Sequence, residues 1–173
     1  DLYEANGRVS VSNPQWSADP YAEPNLLLRH DGDRFVEAQP RGGVLGHEPR
    51  TSRAAVFFDA NNDGRVDVLV ANRSAPARLL INQTTGGHWT SLDIQNATGG
   101  PAIGATVDVT TGEQTRRYTV RTDGSYLAAH DPRVHIGLGD VDTIDRIVVR
   151  WPGGEQRVLE DVGVDQLVLI KRR

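Results

Sequence analysis

The chain is predicted to be all-β, with partial β-propeller blades over residues 1–87 and a small β-sandwich-like domain over residues 88–173. Three observations predict this. Glycine and proline are abundant, at 18 and 9 of 173 residues, which favours short strands and turns over long helices. The segment that opens at Asp1 returns at Asp67, as a repeat array requires. Beyond His88 that repeat is gone, and apolar and polar residues alternate in runs of strand length.

The repeat comes first along the chain. Asp1-Leu2-Tyr3-Glu4-Ala5-Asn6 returns as Asp67-Val68-Leu69-Val70-Ala71-Asn72. Pro24-Asn25-Leu26-Leu27-Leu28-Arg29 has a looser echo in Ala77-Arg78-Leu79-Leu80-Ile81-Asn82, which places Leu26 opposite Leu79 and Leu28 opposite Ile81. The second pair is more closely spaced than the first, so the first copy carries an insertion. The Ser-, Pro- and Asn-rich stretch 8–23 is the place for it. Units of this length built from short strands match propeller blades. Asp67 follows a complete acidic loop whereas Asp1 has nothing before it, so the parent protein is expected to extend further N-terminally. Between the two copies, His30-Asp31-Gly32-Asp33-Arg34-Phe35 reads as a hairpin turn, with too few spaced oxygens for an ion site.

The most informative residues are Asp59-Ala60-Asn61-Asn62-Asp63-Gly64-Arg65-Val66-Asp67. Oxygen-bearing side chains fall at the first, third, fifth and ninth positions, with a glycine at the sixth. Calcium takes six to eight oxygens, so a short chain must wind tightly around it. Asp59, Asn61 and Asp63 are the expected side-chain ligands, Arg65 offers its carbonyl, and Asp67 closes the shell from the next strand. No glutamate stands at the twelfth position, and the flanks are strand-like, so this is a loop between strands and not an EF-hand. A polar hairpin is the competing reading, since Asn62-Asp63-Gly64 is a good turn. It leaves three neighbouring carboxylates without compensation. Magnesium suits an all-protein cage less well.

From His88 onward about seven short strands are expected. His88–Ile94, Ile103–Val109, the alternation around Tyr118 and Val120, and Val134–Leu138 are the first four. The alternation Ile147-Val149-Trp151, then Gln156–Leu159 and Gln166–Ile170, complete a sandwich pattern. Arginines on the outward faces read as a solvated surface. Gly137-Leu138-Gly139 lacks the third glycine of a dinucleotide fingerprint, and Asp140 and Asp142 would repel a pyrophosphate. Asp140, Asp142 and Asp145 form a weaker second cation candidate with no glycine turn to gather them. His130, Asp131 and His135, near Tyr126 and Arg133, could do acid–base work, although turn-stabilising hydrogen bonds explain them equally. Asn72, Asn82 and Asn96 each head an Asn-x-Ser/Thr sequon.

Charge and composition exclude several classes. A net charge of -4 argues against a general nucleic-acid binder. Absence of cysteine removes disulfides and thiolate metal sites. No apolar stretch reaches membrane-spanning length, and no signal peptide is evident.

The stretch 59–70 and the Leu26-Leu27-Leu28-Arg29 element resemble FG-GAP/VCBS repeats of integrin-α-like propellers. Ile103-Gly104-Ala105, Gly124-Ser125-Tyr126-Leu127, the run Asp131-Pro132-Arg133-Val134-His135-Ile136-Gly137-Leu138-Gly139, and Val149-Arg150-Trp151-Pro152-Gly153-Gly154 resemble the ASPIC/UnbV domain. Together the two modules are arranged as in the cartilage acidic protein family and its bacterial homologues. The resemblance implies an extracellular, periplasmic or cell-surface protein with calcium-stabilised blades. It maps the ion loop onto Asp59, Asn61, Asp63, Arg65 and Asp67, and most of the propeller such proteins carry is absent from this sequence.

Two functions follow as expectations. The first is a non-catalytic calcium-binding module for binding or adhesion, with a protein or glycan ligand, or the missing blades, as partner. The second is a calcium-dependent enzyme, of cyclase or isomerase type, in which the ion polarises a carbonyl and His130 or His135 assists.

Overall fold

A computed structural model describes residues 1–11, 17–46 and 48–173. The described residues hold thirteen strands and one short 3-10 turn, Arg41–Gly43, so the chain is all-β. None of their helices is long and apolar enough to cross a membrane. The chain divides into two compact units. One comprises Asp1–Phe58, Val66–Asn82 and Gly124–Ala129; the other comprises Asp59–Arg65, Gln83–Asp123 and His130–Arg173.

The first unit carries β1 (Leu2–Glu4), β2 (Leu26–His30), β3 (Phe35–Glu37), β4 (Ser52–Phe58), β5 (Asp67–Asn72) and β6 (Arg78–Leu80). They form two antiparallel three-stranded sheets, ordered β1-β2-β3 and β4-β5-β6. The internal repeat is structural: β1 and β2 pair as β5 and β6 do. Each copy also makes the same two polar clasps. Asp1 accepts the backbone N–H of His30 at 2.9 Å, as Asp67 accepts that of Asn82 at 2.7 Å. Asn6 donates to the carbonyl of Pro24 at 3.1 Å, as Asn72 donates to that of Pro76 at 2.8 Å.

These clasps correct the second half of the alignment. Leu2 faces Leu28 and Val68 faces Leu80, so Leu28 corresponds to Leu80 and not to Ile81. The insertion in the first copy is longer by one than the side-chain match implies. Leu26–Leu28 slides by one along Arg78–Ile81 with little loss of apolar match, whereas the hydrogen-bond ladder fixes a single register. Residues 12–16 of the expected insertion lie outside the described residues. The expected hairpin at 30–35 is present. His30 pairs with Phe35, and Asp31 donates to the carbonyl of Arg34 at 2.8 Å.

The second unit carries β7 (His88–Gln95), β8 (Thr106–Thr111), β9 (Gln114–Thr119), β10 (Val134–Gly139), β11 (Thr143–Arg150), β12 (Gln156–Gly163) and β13 (Gln166–Lys171). A three-stranded sheet, β10-β7-β13, faces a four-stranded one, β12-β11-β8-β9. Inward residues of both meet in one core. Leu92, Ile94, Ile136 and Ile170 come from the first sheet and Val107, Val109, Ile147 and Val149 from the second, each 2% exposed or less. Burying such a side chain stabilises the fold by about 1.5–3 kcal/mol. Trp151 closes one end of the core, its indole N–H donating to the Gln95 carbonyl at 3.0 Å.

Two features differ from the strand pattern expected. Ile103–Ala105 is a turn with Gly104 at φ +86°, and the strand starts at Thr106. β13 also runs parallel to β7, which alternation alone does not reveal.

On the outer face of the four-stranded sheet, Asp108 is clasped by Arg117 at 2.6 Å and Arg150 at 2.5 Å. The hydrogen bond from Arg117 is the first cause that lowers the Asp108 carboxyl from 3.8 to about 2. A depressed carboxylate stabilises the fold above its unfolded value and loses that contribution as pH falls through its folded value. The urea midpoint is therefore expected to drop as pH falls from about 3.8 to about 2, with a shallower drop in Asp108→Asn.

Candidate metal centre

Residues 59–65 form a closed ring of hydrogen bonds inside the second unit. Asp59 accepts the backbone N–H of Asp63 at 3.1 Å through Oδ1 and that of Gly64 at 2.8 Å through Oδ2. Asn61 Oδ1 also accepts from the Asp63 N–H at 3.3 Å, and its amide donates to Asp63 Oδ2 at 2.8 Å. Asp63 Oδ1 accepts the N–H of Arg65 at 2.9 Å, and the Arg65 guanidinium meets Asp63 Oδ2 at 2.6 Å. Asn62 at φ +57° and Gly64 at φ +82° turn the chain back on itself, a left-handed conformation that asparagine and glycine adopt readily.

The compensation that crowded carboxylates require is therefore partly main-chain. The Arg65 N–H, ahead of Asn61 and the Arg65 guanidinium, holds the Asp63 carboxyl below its ordinary range. Asp59 is buried, at 8% exposure. Asp67 heads β5 in the first unit, fully buried, with Oδ1 engaged by Asn82.

The donor chemistry fits a hard cation. Asp59 Oδ1 and Oδ2 and Asp63 Oδ1 each accept one ring N–H and keep a second lone pair, Asp63 Oδ2 is shared by the Asn61 amide and the Arg65 guanidinium, and nothing in 59–65 offers nitrogen or sulfur as a ligand. Among the described residues no group of three or more His, Cys, Asp or Glu side chains stands close enough to hold a metal ion. The ring's own donors are thus two carboxylates, the Asn61 amide oxygen and the Arg65 carbonyl.

Sequence reasoning missed what supports this ring. Arg133 donates through Nη1 to Asn62 Oδ1 at 2.8 Å and through Nη2 to the Asp59 carbonyl at 3.2 Å. Trp89, at the start of β7, lies so close to Gly64 that a Cβ there would sit 2.1 Å from the indole nitrogen. His135 stacks on Trp89 at 6.1 Å between ring centres.

Both oxygens of Asp131 are taken by Arg133, by its N–H at 2.9 Å and its Nε at 2.7 Å. The His130 N–H donates to the Thr122 carbonyl. His135 lies in β10, and burial pushes its imidazole pKa down; Nδ1 is buried with no hydrogen-bond partner. Of the second cation candidate, Asp145 accepts the Gly112 N–H at 2.6 Å and so closes a turn.

The first unit has a cleft of about 270 Å³, lined in part by Asp19, Tyr21, Arg50, Thr51 and Arg73. Its charges are already matched. Thr51, ahead of the Tyr21 N–H, lowers the Asp19 carboxyl, and Arg73 stacks over the Tyr21 ring at 5.1 Å.

A β-sandwich that holds an oxygen-rich loop within its own unit defines the class. Residues 95–173 match the family described as ASPIC and UnbV, and all four C-terminal segments that carry the resemblance fall inside that match. Cartilage acidic protein 1 of Homo sapiens is 28% identical over 135 residues, which is 75% of this chain and 20% of that protein. Cartilage acidic protein 1 of Mus musculus is likewise 28% identical over 135 residues, 75% of this chain and 21% of that protein. The chain thus spans about a fifth of the length of the curated relatives it matches.

Proposed function

We propose that this chain is a calcium-stabilised, non-catalytic binding module of a secreted or cell-surface protein, with FG-GAP/VCBS-type blades ahead of its ASPIC/UnbV region. The observation that carries the reading is the ring at 59–65. Two carboxylates, an amide and a carbonyl are wound through two left-handed residues in seven positions. Asp59, Asn61, Asp63 and the Arg65 carbonyl would hold the ion. Calcium supplies charge neutralisation and rigidity, and so favours the folded state.

The blade assignment rests on the two clasped copies in the first unit, whose strands meander as blade strands do. The extracellular setting is supported by relatives whose name places them in cartilage. A protein or glycan is the proposed partner.

Calcium is expected to raise the melting temperature of the chain, and a chelator to reverse the rise. Asp63→Ala is expected to remove most of that response. Scanning calorimetry with and without calcium measures both, and a melting temperature indifferent to chelator and substitution would defeat the reading.

A further inference from the structure

We propose that Arg133 and Trp89 are positioning residues for the ion ring, so that calcium binding and the sandwich carrying them are coupled. This rests on the calcium reading above. Neither residue is a ligand. Each holds the ring in a shape that free loop residues would adopt only at an entropic cost.

The geometry carries the case from two sides. Arg133 reaches two ring positions with one guanidinium, the Asn62 side chain and the Asp59 carbonyl. It thereby fixes the left-handed residue that starts the reversal and the backbone of the first ligand. Its own position is set by Asp131, which binds both the Arg133 N–H and Nε.

A bare cation beside a calcium site would weaken the ion by repulsion. Asp131 offsets that charge, at 2.5 Å from Nη2, so the clamp adds order with little net repulsion. Trp89 works from the other side. Its indole fills the space that a side chain at position 64 would occupy, and the His135 ring stacks on it. Outer partners that orient ligands in this way are worth about tenfold to a hundredfold in metal affinity when removed.

The same geometry gives a spectroscopic signature. Terbium takes the oxygen ligands that calcium takes and emits when an adjacent tryptophan is excited. Of the two tryptophans among the described residues, Trp89 packs on the ring.

The test uses the full chain, with calcium followed by titration calorimetry and terbium by tryptophan-sensitised emission. Wild type is expected to bind both. Arg133→Gln and Asn62→Gly are each expected to weaken calcium about tenfold to a hundredfold. Asn62→Gly keeps a residue suited to φ +57° and removes the acceptor of the Arg133 hydrogen bond. Trp89→Phe is expected to abolish most of the terbium emission.

Wild type that binds neither ion removes the calcium reading and this inference with it. Unchanged affinity in both Arg133→Gln and Asn62→Gly overturns the inference and leaves calcium binding intact. Undiminished emission from Trp89→Phe overturns the part given to Trp89. If Arg133→Gln fails to fold, Asn62→Gly decides alone.

Discussion

Asp59→Ala is expected to destabilise the chain by about 2–3 kcal/mol without calcium, because a buried charged acceptor is lost from its donors. The loss falls mainly on the Gly64 N–H, which has Asp59 Oδ2 as its acceptor at 2.8 Å. The Asp63 N–H is partly rescued, since Asn61 Oδ1 also accepts from it at 3.3 Å. Calcium widens the gap. An ion at a hundred times its dissociation constant adds about 2.7 kcal/mol to a chain that binds it and nothing to one that does not. The total difference in saturating calcium is then about 5 kcal/mol, most of the stability of a marginal domain.

Asp59→Asn separates the two contributions. Its one remaining acceptor oxygen is expected to recover part of the calcium-free loss, but not the calcium response. Urea unfolding followed by tryptophan fluorescence measures all three proteins with and without the ion. For each substitution, a loss that is the same with and without calcium would show that Asp59 serves only as a turn acceptor.

Much of this site is legible in the sequence because its chemistry is local. The alternating oxygens, Gly64 and the strand-like flanks sit close together along the chain, and turn geometry depends on near neighbours. The hairpin at His30–Phe35 is readable for the same reason. The sandwich strands are readable from alternation, since one face of each is buried.

Long-range facts are not readable. Nothing about Asp131-Pro132-Arg133 announces a distant partner at Asn62. The parallel pairing of β13 with β7 leaves no mark on either segment's own pattern. The second half of the repeat slips by one in the sequence because three leucines meet a Leu-Leu-Ile run and any register matches. The residues that settle it, His30 against Asn82 and Pro24 against Pro76, act through main-chain groups, which side-chain similarity does not weigh.

Gly64→Ala is the second substitution with a large expected cost, and a control elsewhere in the chain separates its two causes. Gly64 sits at φ +82°, where any side chain is strained, and a Cβ would meet the Trp89 indole at 2.1 to 2.2 Å. Gly32 sits at φ +68° with nothing within 4 Å, so Gly32→Ala carries the strain alone. That strain is worth about 1–2 kcal/mol. The indole cannot give way cheaply, being rigid and stacked on His135, so overpacking adds about 1–3 kcal/mol at Gly64.

Gly64→Ala is therefore expected to lose about twice the stability that Gly32→Ala loses, or more. Adding Trp89→Ala to Gly64→Ala should then cost less than Trp89→Ala costs in wild type, because the new methyl enters the vacated space. Denaturant unfolding of the four proteins in this cycle, beside Gly32→Ala, gives the coupling directly. Strict additivity would mean that Trp89 does not press on the ring, and the packing of the loop against β7 would lose its energetic meaning.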